Sequence, residues 1–233
     1  DREGDEEQPD GPAHPVPRHC GVALAHPPHC ASRGGEAAVT GVRSAAAHVS
    51  FLAGDGGDVV VDEAYAEFND HTAIDLLDKH SNLIVLKTWS KAFAAAAIRV
   101  GCLIASPQLV AEIQKIKLPF DITLFSRLAA IELLQHRDTM DSNVRYIKDE
   151  RNRVFQALSM VKGVTAYPSK ANLILFEIDE PKRVFEALAE KGVLVRNVSG
   201  YPRLSRGLRV SIGTRKENDA FLDAFTNLME ATP

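Results

Sequence analysis

The stretch "NLIVLKTWSKAF", residues 82–93, runs from an apolar segment into a turn that carries hydroxyls, a lysine and aromatic rings. The unbroken run Leu83–Leu86 predicts a short strand buried on both faces. Lys91 lies just past its end. A lysine there is ordinarily a solvated charge, so the neighbouring segments decide whether it is more. Upstream, "DVVVDEAY" (58–65) reads as a second buried strand running into carboxylates. Downstream, "RVGCLIA" (99–105) reads as a third strand that begins at Arg99.

Further along, strands and helices alternate, which predicts α/β layers. In "SPQLVAEIQKIK" Ser106 can cap a helix and Pro107 suits its first position. Leu109, Val110, Ile113 and Ile116 would form its apolar face. "TAIDLLDKH" (72–80) reads as a short helical piece. Long helices follow, roughly Leu124–Gln135 and Ser142–Met160. Then come the strand "ANLILFEI", the helix "PKRVFEALAEKG", and the strands "VLVRNV" and "LRVSIG". In the last helix Thr214 and Glu217 have capping-box spacing, and Phe221, Phe225, Leu228 and Met229 share a face. A seam near residue 160 marks the passage into a smaller α+β lobe.

Composition narrows the function classes. The chain has 233 residues, 45% of them hydrophobic, and a net charge of −4. That size suits a sizeable core, and an acidic balance argues against a general nucleic-acid binder. No apolar run reaches the roughly 18 residues of a membrane span. Three cysteines make no disulfide framework, and a cytoplasmic setting is expected.

Residues 1–57 are unlike the rest. They hold half of the twelve prolines and five of the eight histidines, and no lysine or isoleucine. No helical or strand period shows, so an irregular or disordered leader is expected. His19, Cys20, His26, His29 and Cys30 are zinc-ligand types. Their spacing fits no zinc pattern, a His- and Pro-biased segment explains them equally, and no metal site is expected. The narrow residue repertoire is also what a GC-rich gene yields when read out of frame. With no initial Met, a fragment or a frameshift product is expected, which genomic DNA upstream of the codon for Asp58 would test. The predicted layout is therefore a leader at 1–57, a partial large domain at 58–160 and a small domain at 161–233.

In open α/β sheets ligands collect at the carboxyl ends of strands. Here those ends offer Asp62, Glu63 and Tyr65, then Thr88, Ser90 and Lys91, with Arg99 opening the next strand. Pyridoxal phosphate needs such a set. Its aldehyde condenses with a lysine amine. Its ring nitrogen keeps its proton beside an aspartate. Its 3-oxygen wants a donor such as a phenol, and its phosphate wants hydroxyls and an arginine. Taken singly the residues say less: acidic strand ends also bind Mg²⁺, Tyr65 could be a core aromatic, and Arg99 could pair with any carboxylate.

"VVVDEAYAEF" followed by "NLIVLKTWSKAFAAAAIRVGCLIA" closely resembles fold-type I aminotransferases, the aspartate aminotransferase superfamily. Within it the resemblance is strongest to histidinol-phosphate aminotransferases. "GVLVRNVSGYPRLSRGLRVSIGTRKEN" is similar to the family's C-terminal signature, and the likeness covers residue 58 to the end. It implies a three-layer large domain, here incomplete, with a smaller C-terminal α+β domain. It also implies pyridoxal 5′-phosphate as cofactor, a homodimer, and transamination between histidinol phosphate and 2-oxoglutarate in histidine biosynthesis. Aromatic-amino-acid aminotransferases and a threonine-phosphate decarboxylase share most of the pattern, and a non-catalytic remnant is a further alternative.

The roles implied by the resemblance are these. Lys91 would be the Schiff-base lysine and the base for the 1,3-proton. Asp62 would face the pyridine nitrogen and Tyr65 the 3-oxygen. Ser90, Arg99 and Thr88 would hold the phosphate, while Arg196 and Arg209 would take the anionic end of small-molecule amino donor and acceptor. Two departures matter. The family pattern has glycines where Ala94 and Ala97 stand. Its helix start that cups the phosphate and its "N-N-P-T-G"-like turn are absent from residues 1–57, so weak cofactor binding and no transamination are expected of this chain.

Overall fold

The computed structural model describes residues 21–25, 57–69 and 71–230. His19, Cys20, His26, His29 and Cys30 lie outside the described residues. The chain divides into two compact units.

The first unit takes in Asp62 and the residues before it, 73–86 and 102–121. Its sheet has the order β1-β4-β3-β2, with β1 at Gly21–Ala25, β2 at Val59–Asp62, β3 at Leu83–Thr88 and β4 at Gly101–Ala105. β2 and β3 run parallel, with Asp62 opposite Leu86. The apolar run in β3 is buried on both faces, as its lack of alternation predicts. Leu83 and Val85 pack with Ala73, Leu77 and Ile104. Ile84 packs with Ala105 and Val110 on the other face. Each buried Leu, Ile and Val among them contributes roughly 1.5–3 kcal/mol by leaving water. Helix α1, Pro107–Ile116, starts as expected, with Ser106 Oγ accepting from the Leu109 amide at 3.4 Å.

Several expectations are corrected here. β1 falls within the leader that shows no strand period; an edge strand pairs through its backbone and requires no side-chain pattern. The third strand starts at Gly101 rather than Arg99, because Arg99 has φ 55 and ends a 3₁₀ turn, Ala96–Ile98. "TAIDLLDKH" holds only a 3₁₀ turn at Ile74–Leu76. Ile116 is 82% exposed and does not share the buried face of α1.

The second unit comprises 63–72, 87–101 and everything from Ile122 onward. Helix α2 spans Leu124–Gln135 and α3 spans Arg137–Ser159. An antiparallel sheet follows, in the order β5-β6-β8-β7. Its strands are β5, Thr165–Ala166; β6, Leu173–Glu177; β7, Arg196–Asn197; and β8, Gly207–Ser211. The expected strand "VLVRNV" is thus reduced to two paired residues. Helices α4, Pro181–Glu190, and α5, Arg215–Glu230, complete the lobe.

The core of this unit follows the period-2 rule. Ile174 and Phe176 of β6 stand opposite Val210 and Leu208 of β8, all buried. Against them pack Val154 and Leu158 of α3, Val184 and Leu188 of α4, and Phe221 and Phe225 of α5. Phe176 meets Phe225 edge-on at 5.4 Å, a favoured aromatic geometry. Gly192, at φ 76, closes α4 with its amide on the Ala189 carbonyl, a conformation that favours glycine. The capping box forms as read: Glu217 Oε2 accepts from the Thr214 amide and hydroxyl, both at 2.7 Å. Helix α2 is apolar on most sides, and Leu124, Phe125, Leu128, Ile131 and Leu134 are exposed.

Candidate functional site

The segment after β3 is a self-braced loop. The Trp89 amide donates to the Val100 carbonyl at 3.1 Å and the Ala95 amide donates to the Trp89 carbonyl at 3.1 Å. Thr88 Oγ1 donates to the Val100 carbonyl at 3.3 Å and accepts from the Ser90 amide at 3.1 Å. The Trp89 ring stacks on Phe93 at 5.8 Å. Lys91 is thereby presented from a short turn whose flanks are fixed.

A second segment, Glu63–Phe68, brings Tyr65 to it. Lys91 Nζ lies 5.1 Å from the centroid of the Tyr65 ring, within cation–π range. Tyr65, Ala92 and Phe93 share an apolar cluster with Phe68, Met140 and Val144, the last two from α3. Among the described residues no carboxylate pairs with Lys91. An amine not engaged by an acid is the one that can attack a carbonyl.

Lys87, four residues earlier, is in the opposite state. Its Nζ sits 3.1 Å from Glu63 Oε2 and 2.9 Å from Glu67 Oε1. Burial alone would lower its pKa, but the attraction of Glu67 and then Glu63 outweighs that and holds it above the usual lysine range. Lys87 is thus locked in its charged form. Glu63 is buried and also accepts from the Thr72 hydroxyl at 2.7 Å.

The remaining predicted residues fall as follows. Asp62 ends β2 in the first unit and is exposed. Arg99 is exposed, and its Nη1 donates to the Ala96 carbonyl at 2.9 Å. Arg196 and Arg209 are directly opposite each other across β7 and β8. Arg209 Nε is buried and has no hydrogen-bond partner among the described residues. A buried unsatisfied guanidinium donor is costly, and an incoming oxyanion would relieve it. Trp89 Nε1 is a second buried donor without a partner among the described residues. Tyr65 with Lys91, Thr88 with Ser90, and Arg196 with Arg209 are therefore brought together as pairs.

Residues missed by sequence reasoning hold this arrangement in place. Arg151 is buried, and its Nη1 donates to the Phe68 carbonyl at 3.3 Å and the Ala171 carbonyl at 3.0 Å. Glu150, also buried, accepts from Arg153 and Asn218. The Arg153 hydrogen bond, helped by Asn218 and opposed by burial, holds the Glu150 carboxyl at about 2. No signal local to positions 150 and 151 announces these contacts. Among the described residues, no group of three His, Cys, Asp or Glu is placed to hold a metal ion, and no helix is long and apolar enough to cross a membrane.

The donors on this loop suit a phosphorylated aldehyde cofactor: an amine that no carboxylate among the described residues engages, a phenol beside it, and hydroxyls close by. The Arg209 N–H that is unpaired among the described residues suits a separate oxyanion. Comparison with known proteins gives the family. A histidinol-phosphate aminotransferase from Prosthecochloris aestuarii is 44% identical over 166 residues, covering 71% of this chain and 46% of that protein. The crystal structure of the histidinol-phosphate aminotransferase from Clostridium acetobutylicum matches with a TM-score of 0.74 at 24% identity, covering 79% of this chain and 58% of that one. That from Sinorhizobium meliloti, in complex with pyridoxal-5′-phosphate, matches with a TM-score of 0.68 at 22% identity, covering 79% and 54%. The chain spans about half the length of the relatives it matches. Its fold is that of the fold-type I aminotransferases, in part. The family model for aminotransferase class I and II matches residues 49–225, and the chain belongs to that family.

Proposed function

We propose that the chain carries the lysine-bearing part of a pyridoxal-phosphate-dependent histidinol-phosphate aminotransferase, which exchanges an amino group between histidinol phosphate and 2-oxoglutarate. The observation that carries this reading is the contrast between two nearby lysines: Lys87, near the end of β3, is tied to two carboxylates, and Lys91, on the loop that follows, is tied to no carboxylate among the described residues.

When bound, the cofactor supplies an electron sink for the carbon that loses a proton. The chain's own residues do the rest. Lys91 would hold the cofactor and serve as the base for the proton that moves. Tyr65 would donate to the 3-oxygen, and Asp62 would keep the ring nitrogen protonated. Ser90, Arg99 and Thr88 would hold the phosphate. Arg196 and Arg209 take the carboxylate of glutamate and the phosphate of histidinol phosphate in turn, because a guanidinium fork fits either oxyanion.

The layout proposed with this function is a partial large domain at 58–160 and a small domain at 161–233. A homodimer is part of the reading, supported by the exposed apolar residues of α2. A cytoplasmic setting suits a biosynthetic enzyme acting on small molecules.

The test is borohydride reduction of an intact, cofactor-loaded enzyme that includes this chain, followed by peptide mapping and assays with histidinol phosphate and 2-oxoglutarate. Cofactor fixed on Lys91 supports the reading, and fixation on Lys87 refutes it. Release of carbon dioxide from a phosphorylated amino acid in place of transamination would move the assignment to a decarboxylase of the same fold.

A further inference from the structure

We propose that Lys87 is a positioning residue: its ion pairs with Glu63 and Glu67 brace the turn carrying Tyr65 against the loop carrying Lys91. Its functional meaning rests on the reading of Lys91 as the cofactor lysine, but the brace itself is a property of this chain alone.

The turn Glu63–Phe68 is fastened at three points. Glu63 accepts from the Thr72 hydroxyl at 2.7 Å and pairs with Lys87 at 3.1 Å. Glu67 pairs with Lys87 at 2.9 Å. The Phe68 carbonyl accepts from Arg151. Tyr65 lies between the two Lys87 contacts in sequence. On the other side, the path from Lys87 to Lys91 is fixed at Thr88, Trp89 and Ser90 by the bonds to Val100 and to each other. The Lys87 ammonium is therefore a cross-link between two segments that also meet through apolar contacts and the Lys91–Tyr65 approach.

The charges make the cross-link specific. One lysine stands between two carboxylates, of which Glu63 is buried. Removing the ammonium takes away the cation that Glu63 and Glu67 share, and the like charges of the two carboxylates then push the turn out of place. A brace serving only stability would alter the melting temperature and leave the surroundings of Lys91 unchanged. A positioning brace moves the Tyr65 ring relative to Lys91.

The experiment uses the full chain without cofactor. The protein is produced with ¹³Cε-labelled lysine, which leaves the Lys87 ammonium unmodified, and the Lys91 ε-methylene resonance is assigned by its loss in Lys91→Arg. The Tyr65 ring current should place it upfield of the other lysine ε-methylenes, and Tyr65→Ala should abolish that displacement. Lys87→Met should remove most of the displacement, while Lys87→Arg, which keeps both pairs, should retain it. A cooperatively folded Lys87→Met protein with an unmoved Lys91 resonance overturns the proposal, as does a wild-type Lys91 resonance with no displacement. Should Lys87→Met fail to fold, Glu67→Gln decides: partial loss of the displacement supports the brace, and no change overturns it. Borohydride fixation of cofactor on a lysine other than Lys91 defeats the catalytic reading and leaves these resonance outcomes untouched, so the two failures are distinguishable.

Discussion

Ala94 and Ala97 stand in the same loop, both exposed, where the family pattern has glycine. The structure assigns them opposite conformations. Ala94 has φ 52, in the left-handed region, whereas Ala97 lies inside the 3₁₀ turn Ala96–Ile98. An L-residue in the left-handed region costs roughly 1–2 kcal/mol. Glycine removes that strain, but its freer unfolded chain returns about 0.5–1 kcal/mol. Ala94→Gly should therefore stabilise the fold by about 0.5–1 kcal/mol. Ala97→Gly relieves no strain and should lose about 0.5–1 kcal/mol. The gap between the two variants, ~1–2 kcal/mol, is the quantity to measure, because both make the same chemical change at an exposed site. Urea unfolding followed by tryptophan emission suits the purpose. Trp89 is the single tryptophan, is buried, and stacks on Phe93 one residue before Ala94. A midpoint for Ala94→Gly equal to or below that of Ala97→Gly would refute the strain argument.

Other consequences are open to measurement. On the proposed function, replacing Arg209 by Ala in an intact, cofactor-loaded enzyme should weaken binding of glutamate and of histidinol phosphate together, by about 2–5 kcal/mol, seen by titration calorimetry; loss for one ligand only would assign the second anion elsewhere. The Glu150 carboxyl is held at about 2, below its ordinary 4.5. Its contribution is complete above about pH 4.5 and is lost as pH falls toward 2, amounting to at most about 3 kcal/mol. Thermal melts between pH 2 and 6 should show an acid limb that Glu150→Gln flattens. Disrupting the cap with Glu217→Ala should lower the urea midpoint, since two hydrogen bonds to Thr214 are lost.

Much of the fold was legible wherever the governing interaction is local. Ser106 with Pro107 and Thr214 with Glu217 announce helix starts within four residues of sequence, and both operate as read. The β3 run is buried because nothing in it alternates. The order of strand ends suggested that Tyr65 and Lys91 gather with Asp62 and Arg99 on one rim; of these, Lys91 lies beside the Tyr65 ring. What stayed hidden depends on distant partners. Nothing near Lys87 says that Glu67, twenty residues earlier, will neutralise it. Arg151 reaches a carbonyl 83 positions away, and Glu150 binds Asn218 across 68. The left-handed backbone at Ala94 was also hidden, because alanine in a loop carries no conformational label. The two-residue length of β7 reflects pairing with β8 alone, which an apolar run such as "VLVRNV" does not reveal.

Helix α3 has a mechanical consequence. It is 23 residues long, about 35 Å at 1.5 Å per residue. Near its start Met140 and Val144 seat in the cluster of Tyr65 and Ala92. Near its end Val154 and Leu158 seat under the sheet that bears Arg209. Ile147 touches both clusters. One unbroken spar is thus anchored at both ends, with no proline or glycine along its length to yield. The ground beneath Lys91 and the sheet of the two arginines must swing as one stiff body, and any hinge that opens or shuts this half of the molecule has to lie outside residues 140–158.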